Sequence, residues 1–262
     1  MAIRQVLRLW ERTRRLAYQA AGGLTDLVCP ARCAVCAAEP GDMGDTLCPA
    51  CWQQLRECCP GRYCPTCGHD TGPYALIDGC CHRCQHRRPA VSRVVRVGPY
   101  EGPLRELILA FKFGRQSHLD AFLGDLLASA ILGDGQLGNV DLFIPIPLHW
   151  RRRWSRGYDQ AELLAQAAAR RLRRHERAAP VNGDLLRVRH TPPQTSLAVS
   201  QRLFNLRRAF AVRPEASFAG KHLCLIDDVA TTGTTLRVAA QALRKAGAAR
   251  VSAAVLSVAA ND

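Results

Sequence analysis

The chain has 262 residues, 48% of them hydrophobic, and a formal net charge of +14 at pH 7. Its length suits one ordinary globular domain with a smaller one beside it. No run of about 18 apolar residues is present, which excludes a typical membrane-spanning helix. The excess of arginine favours partners that carry phosphate, from a diphosphate ligand to a nucleic acid, without choosing between them.

Residues 1–28 predict a basic N-terminal helix, because five arginines lie among apolar residues at helical spacing. The segment contains no uninterrupted apolar stretch of the kind that a secretory signal has, so we expect a cytoplasmic protein. A solvated helix face explains these arginines most simply, and contact with an acidic surface is the alternative.

A block rich in cysteine follows, and twelve of the thirteen cysteines lie between Cys29 and Cys84. This density in a cytosolic protein indicates metal binding. The block contains four CxxC pairs, and two pairs complete a tetrahedral zinc site, so residues 29–90 predict a double zinc ribbon with two structural ions. The predicted zinc ligands are Cys33, Cys36, Cys48 and Cys51 in the first half, and Cys64, Cys67, Cys81 and Cys84 in the second.

Several choices within the cysteine block stay open. Cys80 competes with Cys81 as a ligand, and Cys29 competes with Cys33. Disulfides are the alternative to zinc, although the CxxC spacing favours the metal. Segments this short, with few large apolar residues, need a metal ion to fold. The thirteenth cysteine, Cys224, lies in an apolar stretch and predicts a buried core residue.

The remainder, residues 91–262, alternates between strands and helices, which predicts an α/β fold with a mostly parallel sheet flanked by helices. The predicted strands are Val91–Tyr100, Asp141–Pro147, Asp184–Val188, Ala209–Val212, Leu223–Asp228 and Arg250–Val258. The prolines of the second of these strands restrict it to an edge of the sheet or to a strand end. The predicted helices cover residues 104–113, 119–132, about 161–174 and 236–246.

The most informative stretch runs from Leu223 to Thr235. An apolar strand ends in Asp227 and Asp228, and a loop of four threonines around Gly233 then leads into a helix. The unpaired N–H groups and the dipole of a helix N-terminus favour an anion such as phosphate. Carboxylates suit sugar hydroxyls or a divalent cation. A ribose 5-phosphate therefore matches both the acidic pair and the helix N-terminus. An ordinary helix cap is the alternative, and it accounts for only one Asp and one Thr.

Two further basic features could contact a diphosphate. The loop after the Asp141–Pro147 strand contains Arg151, Arg152, Arg153 and Arg156. Arginine forks match diphosphate oxygens, and an exposed basic loop is the alternative. Lys112 and Arg115 flank the break between the first two helices, where they could reach a phosphate. The alternative is that the lysine stem only covers apolar surface. The loop of residues 189–200 has the composition of a lid.

The Leu223–Thr235 stretch resembles the phosphoribosyl diphosphate (PRPP) signature of type I phosphoribosyltransferases. From residue 29 onward the chain resembles the ComF family, zinc-ribbon phosphoribosyltransferase-like proteins associated with DNA uptake in naturally competent bacteria. The other residues that carry this resemblance are Tyr100–Gly114, Ile144–Leu148, Arg156–Gln160, Gln194, Arg202 and Asn205. Asp159 departs from the family, which more usually has Asn there, and we expect its carboxylate to face away from a diphosphate or to meet an arginine.

The resemblance implies PRPP binding with Mg²⁺, in which Asp227 and Asp228 hold the ribose and serve as the catalytic pair. Any reaction would displace pyrophosphate from ribose C1 in favour of an acceptor that the sequence does not identify. The alternative is a non-catalytic PRPP sensor or a single-stranded-DNA-binding module of the competence machinery, and a homodimer is possible. The expected PRPP-binding residues are Asp227, Asp228, Val229, Ala230, Thr231, Thr232, Gly233, Thr234, Thr235, Arg151, Arg156 and Lys112.

Overall fold

The computed structural model describes residues 32–39, 46–85, 89–114, 116–148, 157–177, 179–188 and 209–259. The predicted N-terminal helix of residues 1–28, Cys29, Arg115, the arginines Arg151 and Arg156, and the 189–200 loop lie outside these residues. Within the described part, no helix is both long enough and apolar enough to cross a membrane.

The cysteine block folds as two units with the same plan. In each unit a turn carries the first CxxC pair, and the second pair lies at the start of a helix. These helices are α1 (Pro49–Cys58) and the short α2 (His82–Gln85). The second unit also has an antiparallel pair of two-residue strands, β1 (Leu76–Ile77) and β2 (Cys80–Cys81). The two halves of the sequence therefore repeat one structural unit, as their spacing predicts.

A four-stranded parallel sheet forms the centre of the rest of the chain. Its strands are β3 (Val94–Pro99), β4 (Leu142–Pro145), β7 (His222–Ala230) and β8 (Arg250–Val258), in the order β3-β8-β7-β4. Nearly continuous burial along β7 and β8 is expected for parallel strands that are covered on both faces. The proline-containing strand β4 lies at an edge, as its sequence predicts.

Helices cover both faces of this sheet. They are α3 (Gly102–Phe113), α4 (Leu119–Gly133), α5 (Gln160–Arg173) and α6 (Thr234–Lys245). The first three share one hydrophobic core with β3, β7 and β8, and α6 packs in a second core. Cys224 is fully buried, which confirms its predicted place in the core.

Two predicted strands lie outside the parallel sheet. β5 (Leu185–Arg187) and β6 (Phe210–Val212) pair with each other in antiparallel orientation and form a separate ribbon. Leu185 and Phe210 belong to the same hydrophobic core as α6. The ribbon therefore lies against α6, one of the helices that cover the parallel sheet. Alternation of strands and helices along the chain predicts the parallel sheet but not this ribbon.

Both cysteine units pack directly on the α/β part. In the first unit Trp52 belongs to the core beneath α4, with its ring centroid 5.5 Å from that of Phe122. In the second unit Asp70 pairs with the fully buried Arg96 of β3, and Pro65 O accepts a hydrogen bond from Val94 N at 2.7 Å. These contacts join each unit to the sheet, and the domain boundary near residue 90 stays a prediction.

Candidate functional site

Asp227 and Asp228 lie near the carboxyl end of β7, the end at which parallel α/β sheets bind ligands. The Oδ1 atom of Asp227 accepts a hydrogen bond from Asp228 N at 2.8 Å, and that of Asp228 accepts one from Val229 N. These local bonds fix both side chains. Within the described part of the chain, the Oδ2 atoms form no hydrogen bond, so each carboxylate keeps an oxygen for a ligand.

The acidic pair carries an unfavourable concentration of charge. Burial and the neighbouring Asp228 raise the pKa of Asp227 well above its ordinary value, while Lys112 lowers it and Asp159 raises it further. Burial raises the pKa because the charged form loses its hydration, and a nearby like charge acts in the same direction. A group that donates hydrogen bonds or carries positive charge would therefore be bound favourably here.

Lys112 supplies the positive charge that faces this pair. Its Nζ atom lies 2.8 Å from Asp228 Oδ1, with only 17% of the lysine side chain exposed and 11% of that of Asp228. The lysine is in the last turn of α3. Lys112 therefore makes a charged contact with Asp228, and its role toward a ligand stays a prediction. The structure thus brings together two predicted site residues from distant parts of the chain.

The threonine loop connects the acidic pair to α6. Gly233 has φ 66° and ψ 5°, a left-handed conformation that glycine adopts without strain, and the space where a Cβ would lie is open. Thr232 Oγ1 and Thr234 Oγ1 are 2.8 Å apart. Thr231 and Thr232 are exposed, whereas Thr234 is buried at the start of α6. The loop therefore presents hydroxyl and backbone N–H groups at a helix N-terminus, which suits a phosphate.

The arginine loop begins and ends at this same edge of the sheet. Leu148, just before it, donates its N–H to Asp159 Oδ2 at 2.9 Å. Oδ1 of Asp159 accepts the N–H groups of Ala161 and Glu162 and caps α5. Asp159 therefore bonds to the backbone at both ends of the loop, and its orientation relative to a diphosphate stays a prediction.

A tyrosine ties the end of the arginine loop to the helix that carries Lys112. Tyr158 Oη donates a hydrogen bond to Phe111 O, and the two rings lie 5.7 Å apart between centroids. No role for Tyr158 was predicted from the sequence, although its position directly after Gly157, at the end of the arginine loop, could have indicated one. This contact and the Asp159 contacts hold the Lys112 end of α3 and the base of the arginine loop beside one another.

The eight predicted metal ligands gather into two groups of four, Cys33, Cys36, Cys48 and Cys51, and Cys64, Cys67, Cys81 and Cys84. In each group the sulfur atoms lie within 4.8 Å of one another, as four ligands around one zinc ion require. Cys81 N also donates to Cys64 Sγ at 3.3 Å. The geometry selects Cys81 over Cys80 for the second group.

In each cluster one cysteine receives backbone hydrogen bonds that favour its thiolate, the form that binds metal, whereas burial and the neighbouring sulfurs raise the pKa of Cys51 and Cys84. Burial raises the pKa of Cys33, but hydrogen bonds from the backbone of Cys36, Cys48 and Val35 outweigh it and lower the pKa to about 6. Cys64 follows the same pattern, with burial opposed by backbone bonds that include the one from Cys81, and its pKa falls to about 7. An all-sulfur set with such donors fits a closed zinc site.

Comparison with known proteins agrees with this geometry. Residues 159–261 match the phosphoribosyl transferase domain family. Competence protein F of Haemophilus influenzae is 34% identical over 220 residues, which cover 82% of this chain and 92% of the relative. DNA utilization protein YhgH of Escherichia coli K12 is 36% identical over 191 residues, covering 72% and 80%. Competence protein ComFC of Bacillus subtilis is 30% identical over 218 residues, covering 81% and 84%.

The parallel sheet, its acidic pair and the helix-start loop define a protein with a type I phosphoribosyltransferase domain. Two cysteine clusters precede that domain in the chain. The similarity extends over most of the length of these relatives as well as of this chain. The chain belongs to the ComF family.

Proposed function

We propose that this chain binds PRPP together with Mg²⁺ at the carboxyl end of β7. The observation that carries the proposal is the placement of the Asp227–Asp228 pair directly before the loop at the start of α6. A ligand that spans the two must offer hydroxyl donors at one end and an anion at the other. The ribose and the 5′-phosphate of PRPP meet both requirements.

The acidic pair would hold the ribose hydroxyls. Each of Asp227 and Asp228 has one oxygen occupied by a backbone N–H, which leaves the second oxygen to accept from a sugar. The loop of Thr231–Thr235 would take the 5′-phosphate through backbone N–H groups and hydroxyls. Gly233 supports this assignment because its open left-handed backbone lets a ligand approach closely.

The diphosphate would lie toward Lys112 and the arginine loop. Lys112 is already at the acidic pair, and Asp159 and Tyr158 hold the base of the loop beside the end of α3. Arg151 and Arg156, whose side chains lie outside the described residues, are proposed to bind the diphosphate oxygens. The oxygen donors of the site fit Mg²⁺, which when bound with PRPP neutralises charge on the leaving diphosphate.

Turnover, if it occurs, would break the bond between ribose C1 and the diphosphate and form a bond from C1 to an acceptor nucleophile. The acceptor would lose its proton, and pyrophosphate would leave with the electron pair. The carboxylate of Asp228, together with that of Asp227 in its ionised form, would stabilise positive charge that develops on the ribose in the transition state. The same binding geometry also serves a protein that senses PRPP without turnover.

We further propose that each cysteine cluster holds one structural zinc ion. Each cluster supplies four cysteine ligands, so the zinc ion would have no coordination position open for a substrate or water. Its role would be to stabilise the fold of the unit. Because both units pack on the sheet, loss of zinc would also disturb the packing around β3 and α4.

A role in the uptake or use of DNA is proposed from the relatives, which are named as competence and DNA utilization proteins. Direct binding of single-stranded DNA is the second candidate function, and the observation that favours it is the net charge of +14. Arg173 and Arg174 are exposed at the end of α5 and are available to a nucleic acid.

The test is a titration of zinc-loaded protein with PRPP and Mg²⁺ by calorimetry, followed by an assay of pyrophosphate release with candidate acceptors. We expect saturable binding of PRPP, with ribose 5-phosphate binding more weakly because it lacks the diphosphate. Release of pyrophosphate would identify an enzyme, and binding without release would favour the sensor alternative for the acceptors tested. An absence of PRPP binding by well-folded protein would overturn the proposal.

A further inference from the structure

Cys58 and Cys59 are adjacent cysteines that belong to neither four-cysteine cluster. They lie at the C-terminal end of α1, and both are partly exposed. Their Sγ atoms are 3.7 Å apart, and Cys58 Sγ also lies 3.4 Å from Leu55 O. The two sulfurs are in van der Waals contact, and a bond between them, about 2 Å long, requires one or both to move.

The surroundings of Cys59 are specialised. Its sulfur packs against Gly98 of β3 so closely that a Cβ at Gly98 would lie 2.4 Å from it. Within the described part of the chain, the buried Arg96 guanidinium has no hydrogen-bond partner for Nε or Nη1. Contact with Cys58 and burial raise the pKa of Cys59, and the positive charge of Arg96, which is paired with Asp70, opposes that rise.

The contact between the two thiols changes their pKa values in opposite directions. The contact with Cys59 lowers the pKa of Cys58 to about 7, against the effect of burial. The same contact, together with burial, raises the pKa of Cys59, and Arg96 opposes that rise. Because the sulfur of Cys59 packs tightly against Gly98, and because Cys58 has the lower pKa, we assign Cys58 as the nucleophile and Cys59, which is in contact with it, as the resolving thiol.

We propose that Cys58 and Cys59 form a reversible oxidation site, at which a peroxide converts the two thiols into one disulfide between adjacent residues. The Cys58 thiolate attacks hydrogen peroxide, and the O–O bond breaks. The products are a sulfenic acid on Cys58 and hydroxide, which becomes water by taking up the proton that the Cys58 thiol released on ionising. Cys59 then attacks the Cys58 sulfur, and the second oxygen leaves as water. The pair loses two electrons and two protons, and the peroxide becomes two molecules of water.

Oxidation at this point would act on the junction between the first cysteine unit and the sheet. Cys59 touches Gly98 of β3 and lies beside Leu104 of α3, the helix whose last turn carries Lys112. Formation of the disulfide must move at least one of the two sulfurs, and the tight contact at Gly98 leaves Cys59 little freedom. The site is therefore placed to link oxidation with the packing of α1 on the β3–α3 connection.

The test uses full-length, zinc-loaded, reduced protein treated with hydrogen peroxide in increasing amounts. Remaining thiols are blocked with N-ethylmaleimide before digestion with trypsin, while a metal-sensitive dye follows zinc release. Cleavage after Arg56 and Arg62 gives the peptide Glu57–Arg62, which contains these two cysteines and none of the predicted zinc ligands. This peptide reports on the pair without any substitution in the protein.

We expect the peptide to lose both alkylation sites and the mass of two hydrogens before zinc is released, and dithiothreitol to restore two alkylatable thiols. Cys59→Ser should trap a sulfenic acid on Cys58 that reacts with dimedone, and the matched Cys58→Ser variant should react much less. A peptide that stays doubly alkylated while the clusters lose zinc would overturn the proposal. Equal dimedone labelling of the two variants would overturn the roles assigned to the two thiols.

Discussion

Lys112 Nζ lies 2.8 Å from Asp228 Oδ1, so the last turn of α3 supplies a cation to the acidic pair at the end of β7. This ion pair joins residues from opposite ends of the α/β part of the chain. It offsets part of the charge that Asp227, Asp228 and Asp159 concentrate in one place. A bound diphosphate would offer Lys112 a second anionic partner.

Removal of the Lys112 charge should weaken PRPP binding. Lys112→Gln takes away a charge-assisted interaction worth roughly 1.5–3 kcal/mol, so we expect affinity to fall by about ten- to a hundredfold in calorimetry. Arg105→Gln is the matched control, because Arg105 lies on the same helix and pairs with Glu106 at an exposed position. Equal affinities of the two variants would show that Lys112 does not contact the ligand.

The raised pKa of Asp227 predicts how the stability of the ligand-free protein changes with pH. The folded state holds this proton to higher pH than the unfolded state, in which an aspartic acid titrates near pH 4. The wild type should therefore lose stability as pH rises from about 4 through the raised pKa of Asp227. Asp227→Asn does not titrate and should escape this loss.

Thermal unfolding of both proteins over a pH series measures the effect. The melting temperature of Asp227→Asn should rise relative to that of the wild type as pH increases through this window. A difference in melting temperature that stays constant with pH would contradict a raised pKa at Asp227. Asp141→Asn is a suitable control, since this carboxylate lies at the opposite end of the sheet and bonds to His222 N.

Metal analysis separates the two cysteine clusters. Reduced protein purified without chelators should contain about two equivalents of zinc. Cys81→Ser should remove one equivalent, whereas Cys80→Ser should retain both, because the sulfur of Cys81 and not that of Cys80 belongs to the second cluster. Loss of zinc from Cys80→Ser with retention in Cys81→Ser would reverse this assignment, and thiols paired as disulfides would refute both sites.

Much of the fold is predictable because it is local in the sequence. Periodic apolar residues, prolines and glycines place the strands of the parallel sheet, its covering helices and the edge position of β4 close to their observed bounds. The CxxC spacing likewise identifies the eight cluster cysteines. In each case the signal lies in residues that are neighbours along the chain.

The features of the fold and of the site that were not predicted depend on contacts between segments that are distant in the sequence. Nothing near Lys112 in the sequence indicates Asp228 as its partner, and composition alone does not show that Asp159 closes the arginine loop. The choice of Cys81 over Cys80 depends on which of the two sulfurs the folded strand places in the second cluster. The antiparallel pairing of β5 with β6 is similarly a tertiary outcome.

The arginines at the end of α5 give a test of DNA binding that is more selective than the sequence suggests. Arg171 is buried, and Arg170 pairs with Asp120 at 3.5 Å, whereas Arg173 and Arg174 are exposed. If the chain binds single-stranded DNA through this helix, replacing Arg173 and Arg174 by Gln should reduce the salt dependence of binding. The expected reduction is about 0.7 in log–log slope for each phosphate that the variant no longer neutralises.

Fluorescence anisotropy with a labelled oligonucleotide over a range of salt concentrations measures this slope. Arg170→Gln serves as the control, since that arginine already has an acidic partner and should contribute less to the slope. PRPP affinity should remain unchanged in the Arg173 and Arg174 variant. A slope identical to that of the wild type would remove α5 from the DNA surface.

The most direct test of PRPP binding at the acidic pair is calorimetric titration of PRPP with Mg²⁺ into the wild type and into the Asp227→Ala, Asp228→Ala double variant. Removal of each carboxylate should cost roughly 1.5–3 kcal/mol, so loss of both should lower affinity by about a hundredfold or more while the fold and the zinc content are retained. Unchanged affinity in the double variant would contradict the assignment of this pair to the ribose.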